Sequence, residues 1–141
     1  MSEFELDKRL AADTIELGRL NGCLLLLMND RRWPWLIPGA DDRRCQRIAR
    51  DLDAEIAARS FETAMEAGKA LKQATGCDKI NTASIGNMVR QLHIHVVARS
   101  EGDANWPAPV WGFGERQEYR DGESGSLEQA ILSRSSPEKQ W

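Results

Sequence analysis

Apolar and small residues recur at spacings of three and four between residues 51 and 75 of this chain. This period predicts one long helix with an apolar side. Asp51 or Asp53 is expected to cap its first turn, and Gly76 suits its end. The preceding stretch, residues 43–50, is also compatible with a helix, which leaves the start of the element open.

The other segments predict short strands and two small helices. Residues 23–28 are a continuous apolar run, typical of a buried strand, and residues 91–98 alternate polar and apolar with period two, typical of a strand with one buried face. In chain order, the predicted elements are a helix over 6–12, strands over 14–17, 23–28 and 35–37, the long helix, strands over 79–85 and 88–99, and a helix over 127–133.

Turn and cap residues set the limits of these elements. Pro38-Gly39 is expected to end the third strand, and Gly86-Asn87 is expected to form a turn that joins the last two strands as a hairpin. Ser126 and Gln129 predict a capping box at the last helix. Short strands around one long helix predict an α+β fold, in which an antiparallel sheet packs against that helix.

Length, composition and charge narrow the class of protein. The chain has 141 residues, 41% of them hydrophobic and 29% charged, as in a globular protein with one core. Its longest apolar run is far short of the roughly 20 residues that span a membrane, and its acidic N-terminus does not resemble a secretory signal. We therefore expect a cytoplasmic protein that does not bind membranes. The net charge of −3 argues against binding to duplex nucleic acid.

The two histidines of the chain, His93 and His95, lie in the alternating segment and would share one strand face with Gln91. They have three interpretations. They are hydrogen-bonded polar residues on a solvated face, or they belong to a metal site that lacks a recognisable third ligand. Alternatively, one imidazole is a nucleophile and the other donates to a phosphate. Spacing alone does not choose among them.

The segment Gln91-Leu92-His93-Ile94-His95-Val96-Val97 resembles the histidine triad motif, His-φ-His-φ-His-φ-φ, with glutamine at the first position. The resemblance covers most of residues 22–112, including Leu27-Met28-Asn29-Asp30, the long helix, Asn81, Gly86-Asn87 and the Trp-Pro segment after the motif. The chain is identified as a member of the histidine triad (HIT) superfamily. This implies a HIT-like domain over residues 1–114, with an antiparallel sheet, one long central helix and shorter terminal helices. Residues 115–141 are expected to form a polar C-terminal extension with a short helix.

The resemblance implies hydrolysis or transfer on a nucleoside-phosphate-X substrate, either a dinucleoside polyphosphate or a nucleoside phosphoramidate. His93 would be the nucleophile and form a nucleotidyl-histidine intermediate, without a metal or a cofactor for the attack. Its other ring nitrogen would donate to a backbone carbonyl near the start of the motif, which Gln91 retains. His95 would contact a non-bridging phosphate oxygen. A homodimer is implied, with the long helix and a strand at the interface.

Four further residues are implied as substrate contacts. Asn29 and Asp30 would bind the ribose hydroxyls, Asn87 would lie near the phosphates, and Asn81 would contact the substrate. Each is also explained as a turn or strand-end residue. Gln91, at the first triad position, cannot carry charge or shuttle protons. A nucleotide-binding or regulatory module with reduced turnover is therefore the alternative function, and a structural protein that binds no nucleotide is a third.

Overall fold

The computed structural model of the chain describes residues 5–40 and 54–134. The elements are helix α1 (Lys8–Asp13), strands β1 (Thr14–Leu20), β2 (Cys23–Met28) and β3 (Trp35–Ala40), helix α2 (Ala54–Thr75), strands β4 (Lys79–Ala83) and β5 (His95–Arg99), and helix α3 (Gly125–Ser133). The strands form one antiparallel sheet in the order β1-β2-β3-β5-β4. The predicted α+β fold, with one long helix and shorter terminal helices, is confirmed.

Two apolar clusters lie on opposite faces of this sheet. The larger cluster joins the sheet to α2 and takes Leu25 and Leu27 from β2. The smaller cluster takes Leu24 and Leu26 from the same strand and packs them with Trp35 of β3. Because β2 is buried on both faces, its sequence is a continuous apolar run instead of an alternating one.

Helix α2 is the longest element, with 22 residues. It ends as predicted, because Gly76 follows it with a φ of +67°, a conformation that favours glycine. Its predicted caps, Asp51 and Asp53, and the stretch 43–50 lie outside the described residues. Within the described ranges, neither α2 nor any other helix has an apolar stretch long enough to cross a membrane.

The strand that carries the histidines is shorter than predicted, since β5 covers only the last five residues of the expected range. The Gln91 carbonyl oxygen accepts a hydrogen bond from the His93 ring instead of pairing with a neighbouring strand. Residues 84–94 form an irregular connection, and the tight turn predicted at Gly86-Asn87 does not join the two strands directly. The antiparallel pairing of β4 with β5 is confirmed.

Strand β3 is longer than predicted, because it continues through Pro38 and Gly39 to Ala40. Proline removes one N–H donor, but the Pro38 carbonyl accepts a hydrogen bond from the Ile94 N–H at 2.9 Å. Gly39 and Ala40 pair with β2. The end of β3 thus lies against the segment that holds the first histidine.

Helix α3 begins two residues before its predicted start, so the capping box of Ser126 and Gln129 is wrong because Ser126 already lies inside the helix. Ser124 precedes the helix, and its hydroxyl donates to the Glu128 carboxylate at 2.6 Å. Ile131 is buried in the larger apolar cluster. The segment after residue 114 therefore packs onto the core, while the domain boundary placed there stays a prediction.

Candidate active site

The two histidines lie side by side on the face of the sheet opposite α2. Their ring centroids are 5.1 Å apart, and the ring planes cross at 76°. The residues that alternate with them, Leu92, Ile94 and Val96, belong to the larger apolar cluster, as the period-two pattern predicted. His93 and His95 are each only 7% exposed, so their face of the sheet is not solvated.

Aromatic rings close around His95. The Trp35 ring from β3 lies 5.6 Å from it, centroid to centroid. The Trp111 ring, from the irregular loop after β5, lies 5.2 Å away in an edge-to-face arrangement. The two indoles also contact each other edge to face at 5.9 Å, a geometry that aromatic pairs prefer. One side of His95 is therefore shielded from water by apolar surface.

The protonation of the His93 ring follows from one contact. Its Nδ1 atom lies 2.7 Å from the carbonyl oxygen of Gln91. A carbonyl oxygen can only accept a hydrogen bond, so Nδ1 must carry the proton. In the neutral ring, Nε2 is then left with a free lone pair. This is the backbone contact that the resemblance predicted for the first triad position.

In the His95 ring, the proton is on the other nitrogen. Its Nδ1 atom accepts a hydrogen bond from the Trp35 Nε1–H at 3.1 Å, and an indole N–H can only donate. In the neutral ring, Nε2 therefore carries the proton. Burial, and next the adjacent His93, lower the pKa of His95 to about 4, so the ring is a neutral donor at neutral pH.

Both rings line a groove of about 440 Å³. Trp35 and Trp111 form its aromatic side, Met28 lies at the end of β2, and residues 85–89 of the irregular connection lie across from them. Among the described residues, no three His, Cys, Asp or Glu side chains are grouped so that they could hold a metal ion. The chemistry that the groove offers is one imidazole lone pair beside one imidazole N–H.

Gln91, the first residue of the motif, lies behind this groove and is 5% exposed. Its side-chain Oε1 accepts a hydrogen bond from the Asp7 N–H at 2.9 Å. Its Nε2 donates to the Glu5 carbonyl, also at 2.9 Å. The amide therefore binds the main chain before α1, while the carbonyl of the same residue orients His93.

Of the four predicted substrate contacts, only Asn87 lines the groove. Asn29 accepts a hydrogen bond from the main chain of the C-terminal segment at 2.9 Å. Asp30 is buried and pairs with an arginine two residues later at 2.8 Å. Asn81 accepts a hydrogen bond from a buried arginine of β5 at 3.5 Å. The binding roles of all four stay predictions.

Helix α1 forms a wall of the groove that the sequence analysis missed. Arg9, Leu10 and Asp13 all line the groove beside the histidines. The chain before this helix is held by the bond from Asp7 to Gln91, across 84 positions of sequence, which no local pattern could reveal. The only feature of the local sequence that indicates the position of this helix is Asp7. Its carboxylate caps the helix by accepting a hydrogen bond from the Arg9 N–H at 2.8 Å.

Comparison with known protein families gives a match to the HIT domain over residues 10–102. This range is more than half of the chain and includes the two histidines and their hydrogen-bonding partners. The chain belongs to the HIT family. No curated protein sequence matches this HIT protein.

Solved structures of other HIT proteins are similar over nearly the whole chain. One from Sinorhizobium meliloti is 43% identical and covers 93% of this chain and 96% of its own, with a TM-score of 0.88. One from Bradyrhizobium japonicum is 34% identical, with coverages of 96% and 100% and a TM-score of 0.89. One from Marinobacter aquaeolei is 35% identical, with coverages of 95% and 97% and a TM-score of 0.88. The predicted HIT membership and HIT-like fold are confirmed.

Proposed function

We propose that this HIT protein is a nucleotidyl hydrolase or transferase that cleaves nucleoside-phosphate-X substrates through a nucleotidyl-histidine intermediate. The observation that supports it is the opposite protonation of two adjacent rings in one groove. His93 keeps a lone pair on Nε2 because its proton is on Nδ1, which donates to the Gln91 carbonyl. His95 keeps a proton on Nε2 because Trp35 donates to its Nδ1. A nucleophile therefore lies beside a hydrogen-bond donor, as phosphoryl transfer requires.

In the first step, the Nε2 lone pair of His93 forms a bond to the α-phosphorus. The bond from phosphorus to X breaks in line with it, and X leaves with the electron pair; an amine leaving group also takes up a proton from solvent. The ring becomes positively charged, and the Gln91 carbonyl stabilises that charge through Nδ1–H. His95 donates to a non-bridging oxygen, where negative charge grows in the transition state.

In the second step, water attacks the same phosphorus and displaces the imidazole. The nitrogen–phosphorus bond returns its electrons to the Nε2 atom of His93, the nucleoside monophosphate leaves, and the water proton passes to solvent. Another acceptor in place of water makes the reaction a transfer. The substrates we propose are dinucleoside polyphosphates and nucleoside phosphoramidates. Asn87 lines the groove and is proposed to contact the phosphates, while ribose binding by Asn29 and Asp30 and substrate contact by Asn81 are carried forward from the family resemblance.

We further propose that two copies of the chain pair through α2 and β4, in the cytoplasm that the sequence predicts. Phe61 and Met65 are 43% and 69% exposed and lie one turn apart on α2, so they form one exposed apolar patch. Beside them, Gly68 and Ile80 line an open apolar groove between the helix and the strand. A second copy of the same surface would bury these side chains.

The proposed chemistry is tested by trapping the intermediate. The protein is mixed with adenosine phosphoramidate or diadenosine tetraphosphate, and the reaction is quenched in alkali, which preserves phosphohistidine. The mass of the intact protein is then measured by mass spectrometry. Wild type should gain one AMP less one water, and His93→Ala should not. AMP release should fall about 10³-fold or more in His93→Ala. His95→Gln retains the nucleophile and should form the same adduct more slowly.

Other results would favour the other functions. If no substrate gives an adduct or a product while AMP still binds, the hydrolase proposal fails and a nucleotide-binding or regulatory module is the better description. If AMP and the two substrates produce no thermal stabilisation at all, a structural interaction protein is favoured, because a ligand of the native state raises its apparent stability.

A further inference from the structure

Helix α1 brings one cation to the histidine groove. Arg9 is exposed on the second position of this helix, and it lines the same groove as His93 and His95. Lys8, its neighbour on the helix, carries the same charge and is also exposed, but it does not line the groove. Arg9 therefore differs from Lys8 in position and not in charge, because only Arg9 lies in the groove with the two histidines.

The guanidinium of Arg9 is not held by the acidic residue of the groove. Among the described residues of the lining, the other charged side chain is Asp13, and its carboxylate pairs with Arg116 at 3.5 Å. Among residues 5–40 and 54–134, no hydrogen bond or ion pair engages the Arg9 guanidinium. The Arg9 guanidinium is therefore available to an anion that enters the groove.

The backbone that presents Arg9 is anchored to the catalytic segment. The Arg9 N–H donates to the Asp7 carboxylate at 2.8 Å, and the Asp7 N–H donates to the Gln91 side chain at 2.9 Å. Leu10, the next residue, is buried. The Gln91 carbonyl also orients His93. Gln91 thus positions both His93, the proposed nucleophile, and α1, the helix that carries Arg9.

We propose that Arg9 binds phosphate oxygens beyond the reacting phosphorus, so that the site prefers a leaving group made of a phosphate chain. A guanidinium suits this role because its planar fork of donors matches two phosphate oxygens. The inference rests on the proposed function for its substrate, and it selects dinucleoside polyphosphates over nucleoside phosphoramidates. The leaving group of a phosphoramidate is an uncharged amine, which offers Arg9 no anionic partner.

The test measures binding, so that it does not depend on turnover. The dissociation constants of AMP, ADP, ATP and inorganic tripolyphosphate are measured by calorimetry for wild type, Arg9→Gln, Arg9→Lys and Lys8→Gln. In wild type, affinity should rise with chain length by about tenfold from AMP to ATP, as expected for a charge-assisted contact near solvent. Arg9→Gln should abolish this rise, Arg9→Lys should keep part of it, and Lys8→Gln should keep all of it.

Three results would overturn the proposal: a wild-type affinity that does not rise with chain length, an undiminished rise in Arg9→Gln, or an equal loss in Lys8→Gln. The failure of the proposed function gives a different result. If tripolyphosphate binding depends on Arg9 but no nucleotidyl adduct forms at His93, the Arg9 site stands and the hydrolase proposal fails. If the adduct forms but chain length has no effect, the hydrolase proposal stands and the Arg9 site fails.

Discussion

The indole N–H of Trp35 donates to Nδ1 of His95 at 3.1 Å, across 60 positions of sequence. Trp111 contacts the same ring from another side, but its Nε1 is buried and has no hydrogen-bond partner among the described residues. Both indoles shield His95, and only Trp35 determines which of its nitrogens carries the proton. Mutation of each tryptophan in turn therefore separates the effect of the hydrogen bond from the effect of shielding.

Trp35→Phe should keep an aromatic ring beside His95 and remove the donor that selects its tautomer. We expect kcat/KM to fall by about 10- to 100-fold, as when other orienting hydrogen bonds are removed from a functional imidazole. The side-chain ¹⁵N resonances of His95 should change from one tautomer to a mixture. Trp111→Phe should leave those resonances unchanged. Identical ¹⁵N spectra for wild type and Trp35→Phe would contradict the assignment.

The lowered pKa of His95 predicts a pH dependence of stability. Its pKa is about 4 in the folded protein because of burial and, next, His93, against 6.5 for the ordinary group. Between these values the unfolded chain binds more protons, so the free energy of unfolding should fall as the pH falls from about 6.5 to about 4. The contribution of the neutral His95 ring to the free energy of unfolding, about 3 kcal/mol, is fully present above pH 6.5.

Urea unfolding of wild type and His95→Gln at several pH values measures this contribution. The carboxylates are common to both proteins, so the difference between the two curves isolates the imidazole. The wild-type free energy of unfolding should fall more steeply over this window. Parallel curves would show that the burial of His95 has no thermodynamic effect.

Gln91→Ala should release the N-terminal segment, because it removes both side-chain bonds to the main chain of Glu5 and Asp7. The two hydrogen bonds are partly buried, so each contributes about 0.5–1.5 kcal/mol of stability that the variant should lose. Hydrogen exchange should become faster at the Ala11 amide, which bonds to the Asp7 carbonyl at 2.9 Å in α1. It should stay slow at amides within β2. Unchanged exchange in α1 would mean that Gln91 does not anchor the helix.

Gly39→Ala should disturb His93, the proposed nucleophile, through the backbone. A Cβ on Gly39 would lie 3.0 Å from the Leu92 carbonyl oxygen, so the segment that carries His93 would have to move. We expect the free energy of unfolding to fall by about 1–3 kcal/mol. The fall in kcat should be larger than the rise in KM. Gly125→Ala is the control, because nothing lies within 4 Å of its added Cβ. Equal melting temperatures and kcat for the two variants would contradict this argument.

Met65→Glu tests the proposed pairing of two copies. The side chain is 69% exposed on α2, so a charge is tolerated in a monomer but would be buried without a partner in the dimer. Light scattering should give a dimer for wild type and a monomer for Met65→Glu. Glu62→Gln, exposed on the same helix but outside the apolar groove, should remain dimeric. A wild-type monomer at micromolar concentration would end this proposal.

The faces of the histidine segment could be predicted because side-chain direction alternates locally in an extended chain. Leu92 and Ile94 enter the core even where no regular strand forms. The limits of β5 could not be predicted, because the alternating pattern continues through residues 91–94, where the Gln91 carbonyl bonds to the ring of His93 and no regular strand forms. The tautomer of His95 could not be predicted either, since its determinant, Trp35, is distant in sequence.

The same long-range contacts restrict when the groove can form during synthesis. The Asp7 to Gln91 bond joins residues 84 positions apart, and the contact of Arg116 with the Asp13 carbonyl spans 103 positions. Closing such loops costs entropy before any contact is gained. A nascent chain that ends before residue 91 has neither histidine and leaves α1 unanchored. The groove therefore cannot assemble until most of the chain has left the ribosome, and no N-terminal fragment of that length can bind at this site.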